Sequence, residues 1–500
     1  MPSRLPFRSF QARHPALPPT FDLSPARQTL RFVTELGAFF DEGVRDLGSA
    51  FSIDMIGYGP LVVFSDEETV KRITSARPED FTHANDIVAF FVGQRSIFLL
   101  DGEPHKHARR RTLSAFAGDR MRRYGEVMKV AADRYIDTLG PDQTISAMEA
   151  GTTMALEIIL VALFGMERGP KYDELDAAIR GFMAGGHSPV ASLLSYWLPA
   201  ATMRGLILGD RDPATMARRP MSPLGHLLGK TSAIRAGRRL TELLLEMVQE
   251  RRATLERASD DGLSHILRTA RDEGHAYDDA AAFDESLTLL LAGHDTTAIT
   301  LSRALYRLST APRVMDALRA ELDAEFPDEP LDPARVDSLP YLDAVINECL
   351  RLDALARGAT RRLLHPMTMG GYDLPAGTMV TGYVYPRQRD AASWERPDDF
   401  YPEQWLGKRV KPHEFAPFGV GFRRCAGAAF ATYEMKILLA QFVRRVDFRV
   451  PAGYVLKEGM LGPMIAPVGP VPVEVLRVRP DVGGGESVPR GPGSRVTAPV

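Results

Sequence analysis

The sequence predicts a mainly α fold with minor β structure, and two patterns lead to this prediction. Apolar residues recur at three- and four-residue spacing over long segments, which is the period of a helix buried on one face. These segments span residues 103–117, 121–139, 147–165, 238–257, 278–309, 312–325 and 339–353. Short apolar runs near 51–65 and 358–385 are broken by glycine and proline, which indicates small sheets.

The first sheet region is predicted to be a hairpin. From Phe51 to Ser65, apolar residues alternate with small or polar ones around Gly57, Gly59 and Pro60. An alternation of period two, interrupted by turn-forming residues, is typical of two short antiparallel strands.

Helices are expected to dominate the chain after this hairpin. The pattern over 278–309 is long for a globular protein, and Thr310 before Pro312 is a start signal for the next helix. The stretch 390–418 is rich in proline, charge and aromatic residues without a clear period. We therefore expect a long ordered loop there, and such loops are usually functional.

Composition indicates a globular protein and excludes several classes. Of the 500 residues, 45% are hydrophobic and 25% are charged, and the net charge of -3 gives no reason to expect nucleic acid as a partner. The two cysteines, Cys349 and Cys425, form no Cys-x-x-Cys pair, which excludes zinc ribbons and iron-sulfur clusters. No run reaches the roughly 18 apolar residues of a membrane span. We expect a cytoplasmic protein without a membrane anchor.

The length alone predicts two or three domains. The ends of the chain differ from its middle. Residues 1–30 are expected to form an extended N-terminal segment, and residues 479–500 are rich in Gly, Pro and Ser with too little apolar content to pack. We predict that this C-terminal tail is disordered.

Cys425 lies in the most informative run of the sequence, from Phe418 to Gly427. A single cysteine is more often a small buried hydrophobic residue than a ligand. Here the glycines of the run permit a tight loop close to a flat group, and the small residues after the cysteine begin a helix with little bulk. The helix start, with Arg423 and Arg424, also favours the thiolate, which is the form that binds iron.

A polar run, Ala292 to Thr297, lies in the middle of the predicted helix 278–309. Asp and Thr on a helix usually face solvent. Apolar residues precede and follow this run, so the helix is expected to be buried. Because burying polar groups is costly, the polar centre of the helix indicates a functional role. Gly293 and Thr296 can loosen the helix here, because a threonine hydroxyl competes for a backbone carbonyl.

The cysteine run resembles the haem-binding loop of the cytochrome P450 family. In that loop a Phe, a Gly, an Arg and a Cys recur at the spacing of Phe418, Gly421, Arg423 and Cys425. The resemblance implies that Cys425 ligates the iron of haem b, that Arg423 pairs with a haem propionate and that Phe418 shields the sulfur. Gly421 and Gly427 then belong to the cofactor-binding segment.

The run within helix 278–309 resembles the oxygen-activation segment of the same family. This implies that Asp295 and Thr296 deliver protons during catalysis, with His294 as a neighbour without a role. A thiolate ligand donates electron density to iron and favours O–O cleavage.

Glu348 and Arg351 are opposite charges at i and i+3, which is ordinarily a weak surface pair. Here they resemble the Glu-x-x-Arg element of the family, which is buried and holds the cysteine loop. Its partner segment is Phe400 to Trp405, where Gln404 replaces the usual Arg. The family's three-way ion pair and a neutral amide hydrogen bond from Gln404 are therefore the two alternatives at this position.

Further upstream, His105 and Arg109 share one face of a predicted helix, a pattern that is weak by itself. In this position they resemble the family residues that hold haem propionates, and Arg361 matches another such arginine. The family often has His-Pro-Pro after the Glu-x-x-Arg helix, whereas this chain has Asp353 to Leu355. That difference concerns the substrate pocket.

The resemblance spans about residues 30–478, so residues 31–478 are expected to form one cytochrome P450 domain with long helices around a buried haem. It implies a monooxygenase that hydroxylates or epoxidises a lipophilic small molecule. The chain has no dinucleotide-binding motif, so electrons from NAD(P)H are expected through a separate ferredoxin or flavodoxin and its reductase. A haem-thiolate peroxygenase or isomerase and a non-catalytic haem protein are the alternatives, and the Asp295–Thr296 pair argues against both.

The substrate pocket is expected to be almost wholly uncharged. The candidate lining segments are Ile87 to Val92, Phe182 to Trp197, Leu289 to Ala292, Ala354 to Ala356 and Met460 to Met464.

Overall fold

The computed structural model describes residues 16–186, 198, 200–209, 211, 216, 231–256, 261–274 and 277–481. These residues form a mainly α fold with small sheets, so the predicted fold class is confirmed. Residues 1–15 and 482–500 lie outside the described residues, as does much of the candidate lining segment Phe182 to Trp197. No helix in the described ranges is long and apolar enough to cross a membrane.

Helices provide most of the described structure. In chain order they are α1 Pro25–Thr34, α2 Leu36–Leu47, α3 Glu67–Thr74, α4 Ala89–Val92, α5 Gly102–Ala115, α6 Asp119–Ile136, α7 Ala147–Ile158, α8 Pro170–Gly186, α9 Ala200–Leu208, α10 Ser232–Ala253, α11 Gly262–Asp272, α12 Asp279–Thr310, α13 Pro312–Glu325, α14 Pro333–Val336, α15 Pro340–Leu352 and α16 Ala428–Arg445.

The strands are short and form four small sheets within the described residues. They are β1 Ala50–Met55, β2 Gly59–Phe64, β3 Phe81–Thr82, β4 Thr144–Ser146, β5 Gly358–Leu363, β6 Met367–Met369, β7 Tyr372–Leu374, β8 Met379–Tyr383, β9 Val446–Arg449, β10 Glu458–Leu461, β11 Met464–Pro467 and β12 Pro472–Val478. The largest sheet has the order β1-β2-β8-β5-β3, and only its β2–β8 pair is parallel. The others are β4-β12-β9, β10-β11 and β6-β7.

The predicted N-terminal boundary needs a correction. Residues 1–30 were expected to be extended, but α1 begins at Pro25. Ser24 explains this start, because its hydroxyl accepts a hydrogen bond from the Arg27 N–H and proline at the first helical position costs no hydrogen bond.

The long helix α12 forms the centre of the molecule. Asp278 caps it by accepting a hydrogen bond of 2.9 Å from the Ala281 N–H, and most of its residues are buried. It crosses α7 closely at Gly151, where an added Cβ would lie 2.7 Å from Cα of Ala298. At this crossing α7 therefore packs directly against the backbone of α12.

Candidate functional site

The loop before α16 presents Cys425. A short 3-10 turn, Gly421–Arg423, precedes the cysteine, and the Cys425 N–H donates a hydrogen bond of 2.8 Å to the Phe418 carbonyl. Gly421 has φ +68°, and a Cβ there would lie 3.2 Å from the Thr74 carbonyl oxygen, so both conformation and space require glycine. The loop is therefore closed on itself, with the sulfur near the start of α16.

Cys425 is solvent-accessible, whereas Cys349 is buried within α15. A Cβ added to Gly427 would contact nothing within 4 Å, and Ala429 is exposed although the rest of α16 is largely buried. The small residues beside the sulfur thus border open space rather than core.

The charge environment of Cys425 differs from the expectation that the thiolate is favoured. Although the residue is accessible, the atoms packed around its sulfur remove part of its solvation and raise the pKa of its thiol. A hydrogen bond from the Gly427 N–H and the charges of Arg424 and Arg109 act in the opposite direction. Of these two arginines the sequence indicated Arg424 and not Arg109. Their effect on the pKa is smaller than that of the lost solvation. A metal ion at the sulfur would reverse this balance.

Four potentially cationic side chains converge beside the loop: His105, Arg109, Arg361 and Arg423. Burial, with the charge of Arg423 acting in the same direction, lowers the pKa of Arg361 to about 10. Burial lowers the pKa of His105 to about 4, with Arg423 and Arg109 acting in the same direction.

The Phe422 ring lies in the middle of this group. The His105 ring meets it edge to face at 6.0 Å between centroids, and the guanidinium carbons of Arg361 and Arg423 lie 5.8 and 5.4 Å from its centroid. Arg109 donates a hydrogen bond of 2.5 Å to the Arg424 carbonyl. The structure thus brings together all the residues that the sequence indicated for an anionic partner.

Arg423 is already held by the segment before α5. It forms an ion pair with Asp101 and donates to the carbonyls of Ile97, at 3.0 Å, and Leu100. Within the described part of the chain, the Nε atoms of Arg423 and Arg361 are buried without a hydrogen-bond partner. These donors are free to meet an anion.

One face of α12 is more open than the rest of that helix. Ala292 is exposed and Leu289, Gly293 and Thr296 are partly exposed, whereas their neighbours on the other faces are mainly buried. These positions are spaced at three and four residues, so they share one face. The open face carries the Thr296 hydroxyl, which donates 3.1 Å to the Ala292 carbonyl.

His294 and Asp295 are both buried. The His294 Nδ1 atom lies 2.8 Å from the Leu290 carbonyl oxygen, and its Nε2 atom lies 3.3 Å from Oδ1 of Asp295. A carbonyl only accepts hydrogen bonds, so Nδ1 carries a hydrogen. His294 therefore contacts the candidate acid directly, which the sequence did not indicate.

Glu434 is a further buried group that sequence reasoning missed. Its Oε2 atom accepts a hydrogen bond of 2.9 Å from Thr297, which links α16 to α12 next to Thr296. The available signal in the sequence was a glutamate within a mainly apolar helical segment, nine residues after Cys425. In the structure this glutamate is fully buried.

The Glu348–Arg351 pair is fully buried, as expected. Arg351 donates two hydrogen bonds of 2.8 Å to the carboxylate. The Gln404 amide donates a hydrogen bond of 2.9 Å to Oε1 of Glu348, and the Trp405 indole donates one of 2.8 Å to Oε2. The neutral alternative thus occurs: an amide and an indole take the place of a second cation.

Asp353 is the first of the three residues that this chain has in place of the family's His-Pro-Pro. Its carboxylate accepts two hydrogen bonds from Arg307, of 2.9 and 2.6 Å, and its carbonyl accepts one of 2.5 Å from buried Arg303. Arg303 also donates 2.8 Å to Glu458 in β10. This network fixes the loop after α15 and the β10–β11 hairpin, two segments that were expected to line the pocket.

Comparison with known families identifies the chain. The family model described as Cytochrome P450 matches residues 216–465, half of the sequence. The chain belongs to the cytochrome P450 family. Members are haem-thiolate monooxygenases, oxidoreductases whose haem iron is held by a cysteine thiolate and which require a redox partner and a small-molecule substrate.

Curated relatives agree with this cytochrome P450 assignment, and a solved structure shares the fold. The chain is 29% identical over 435 residues to the putative cytochrome P450 135B1 of Mycobacterium tuberculosis, covering 86% of this chain and 85% of the relative. It is 28% identical to the putative cytochrome P450 138 of the same species, covering 85% and 90%. A structure titled retinoic acid bound cyanobacterial CYP120A1 matches with a TM-score of 0.75 and 21% identity over 92% of this chain and 99% of that one.

The site has the features that a cytochrome P450 haem requires. Haem is flat, carries two propionates and needs one sulfur ligand. The small residues beside accessible Cys425 leave room for a flat group, and Arg361 and Arg423 present buried donors without a partner among the described residues. The residues present therefore fit the cofactor.

Proposed function

We propose that this cytochrome P450 inserts one atom of dioxygen into a lipophilic small molecule, by hydroxylation or epoxidation, and that Cys425 would ligate the iron of haem b. One observation carries the ligand assignment. The sequence has two cysteines, and only Cys425 is accessible, because Cys349 is buried in α15.

The remaining cofactor contacts follow from the cluster beside the loop. His105, Arg109, Arg361 and Arg423 would hold the propionates. The arginines supply positive charge that an anion would compensate, His105 supplies a neutral ring, and Arg361 lacks a carboxylate partner in the described residues. Phe418, Gly421 and Gly427 would shape the loop around the sulfur. Glu348 and Arg351 act at a distance, by anchoring the segment that leads to this loop.

When bound, thiolate-ligated haem supplies the reductive activation of dioxygen. The chain must then hold and move protons in an apolar pocket. Thr296 presents a hydroxyl on the open face of α12, and Asp295 places a buried carboxyl one residue before it. We assign proton delivery to this pair, because a hydroxyl and an acid are the groups that general acid catalysis needs.

Electrons are proposed to come from NAD(P)H through a ferredoxin or flavodoxin and its reductase. Arg424 is exposed next to the cysteine loop, and Lys106 and Arg110 are exposed on α5 nearby. A positive surface of this kind favours an acidic partner and speeds its association. Lys106 and Arg110 have carboxylate neighbours, Glu103 and Glu273, so Arg424 is the strongest single candidate. We place this reaction in the cytoplasm.

The substrate is proposed to be lipophilic. The positions on the open face of α12 are Leu289, Ala292, Gly293 and Thr296, none of which carries a charge. The α4 segment contributes Ala89, Phe90, Phe91 and Val92. The solved relative was bound to retinoic acid, a largely apolar molecule, which supports a ligand of that character.

Turnover with dioxygen and a surrogate ferredoxin system, compared with hydrogen peroxide alone, tests this function. Product that requires dioxygen, reductant and the ferredoxin supports a monooxygenase. Product formed with peroxide only would show a peroxygenase instead.

A further inference from the structure

A buried ion pair lies away from the proposed catalytic groups. Arg204 of α9 donates to Oδ1 of Asp284 in α12, and each side chain is only 4% exposed. The residues are 80 positions apart in the chain, so the pair ties two distant elements together.

Arg204 also contacts α4 and a neighbouring aromatic ring. Its other terminal nitrogen donates 3.3 Å to the Phe91 carbonyl in α4, and its guanidinium carbon lies 5.8 Å from the centre of the Phe283 ring. One side chain therefore fixes α4 relative to α12.

The loop after α4 is built against the Asp284 carboxyl. Oδ2 of Asp284 accepts a hydrogen bond of 3.0 Å from the Arg95 N–H. Gly93 has φ +83°, and a Cβ there would lie 2.1 to 2.3 Å from the carboxyl atoms, so this close approach requires glycine. One turn further along α12, Thr288 donates 2.8 Å to the Ser96 hydroxyl.

The element that this pair holds is aromatic. The Phe91 ring lies 5.4 Å from that of Phe182, and a Cβ added to Gly186 would lie 2.2 Å from Phe91. The same loop continues to Ile97 and Asp101, which hold Arg423. Displacement of α4 would therefore disturb the packing of Phe91 on Phe182 and, through the loop, the residues that hold Arg423.

Stability alone does not explain such a pair. Burial raises the pKa of Asp284 to about 6 and lowers that of Arg204, so both charged forms are costly here. A buried ion pair is often no more stabilising than apolar residues of similar size. Its specific effect is to fix the relative positions of its partners.

We propose that Arg204 and Asp284 are positioning residues that hold α4 and the loop 93–96 against α12 and thereby restrict the size of ligand that reaches the haem pocket. This inference rests on the proposed function, in which Cys425 would hold haem and the open face of α12 would border the substrate. The pair would act through Phe90 and Phe91 of α4, which belong to the segment 87–92 that the sequence indicates as pocket lining, and not through contact with a reacting atom.

Azole binding to the ferric holoprotein tests this role, because iron ligation by an azole shifts the Soret band and needs no turnover. Imidazole is the small probe and clotrimazole the bulky one, both followed by stopped flow at about pH 7.5, above the pKa of Asp284. In R204M and D284N the clotrimazole association rate should rise about tenfold, while that of imidazole changes less than about twofold. R95Q is the matched control, since it removes the exposed Arg95–Asp278 pair and leaves the Arg95 N–H in place.

Each single variant leaves one buried charge, so the double variant R204M/D284N keeps the test valid if a single one loses haem. It should show the same selective gain for clotrimazole, and less than the sum of the two single effects. Unchanged clotrimazole rates in the double variant, or an equal gain for imidazole, would overturn the proposal. Failure of the proposed function is seen separately, as a reduced carbon monoxide spectrum without thiolate ligation in the wild type.

Discussion

The Thr297 hydroxyl donates a hydrogen bond of 2.9 Å to Glu434, and this contact joins the helix that carries Thr296 to the helix that follows Cys425. Burial raises the pKa of Glu434 to about 8, and the hydrogen bond from Thr297 acts in the opposite direction. The folded protein therefore holds a proton on Glu434 at pH values where the unfolded chain does not.

This raised pKa predicts how stability depends on pH. The contribution of Glu434 is fully present below its ordinary pKa of 4.5 and is lost as pH rises towards 8, by at most about 1.4 kcal/mol per pH unit. Glu434→Gln should lack this loss. Urea unfolding at several pH values measures it, with exposed Glu126→Gln as the control; parallel pH profiles for wild type and Glu434→Gln would contradict the assignment.

Thr296→Ala should bind haem and substrate and accept electrons, but release hydrogen peroxide in place of product. Asp295→Asn should slow turnover at least about tenfold, because general acid catalysis commonly contributes more than that. Added peroxide should rescue both variants in part, since it brings its own protons. Product per NAD(P)H is the measurement. Thr300→Val is the matched control, as Thr300 also donates to a carbonyl four residues back, at 2.9 Å. Unchanged coupling in both variants would remove the pair from the mechanism.

Gln404→Arg should hold haem as well as the wild type or better. Gln404 Oε1 is buried without a partner in the described structure, and an arginine would replace it with donors towards Glu348. Gln404→Glu would place a second carboxylate there and cost about 3 kcal/mol or more. Haem transfer to apomyoglobin and urea unfolding check both results. Marked haem loss in Gln404→Arg would show that the amide has its own fitted network.

Asp353→Ala should lower the free energy of unfolding by about 3 kcal/mol, because it leaves Arg307 without its carboxylate in a largely buried site. Arg307→Met in the same chain should recover much of the loss. Chemical denaturation of the four proteins gives the coupling; additive losses would show that the two side chains act independently.

Much of the fold could be predicted from periodicity. The segment 278–309 was predicted as a helix and α12 spans Asp279–Thr310, because a long helix buried around a polar centre leaves a regular apolar pattern. The hairpin at 51–65 and the sheet region at 358–385 were likewise found at β1–β2 and β5–β8. The expectation of two or three domains rested on chain length alone, and length contains no information about periodicity.

Contacts between distant residues could be predicted only where a family motif indicated them, as for Glu348 and Gln404. Arg204 and Asp284, or Thr297 and Glu434, meet across 80 and 137 positions, and a single sequence holds no signal for such pairs. The Cys425 thiol illustrates a second limit. Its neighbouring arginines are visible in the sequence, but the burial that raises its pKa exists only after folding.

The carbon monoxide spectrum of the reduced protein tests the central claim most directly. We expect the red-shifted Soret band of thiolate-ligated haem in the wild type and in Cys349→Ala, whose sulfur is buried in α15, and its loss in Cys425→Ala. A band of the histidine type in freshly prepared wild-type protein, or equal spectra for the two cysteine variants, would contradict the assignment of Cys425 as the iron ligand.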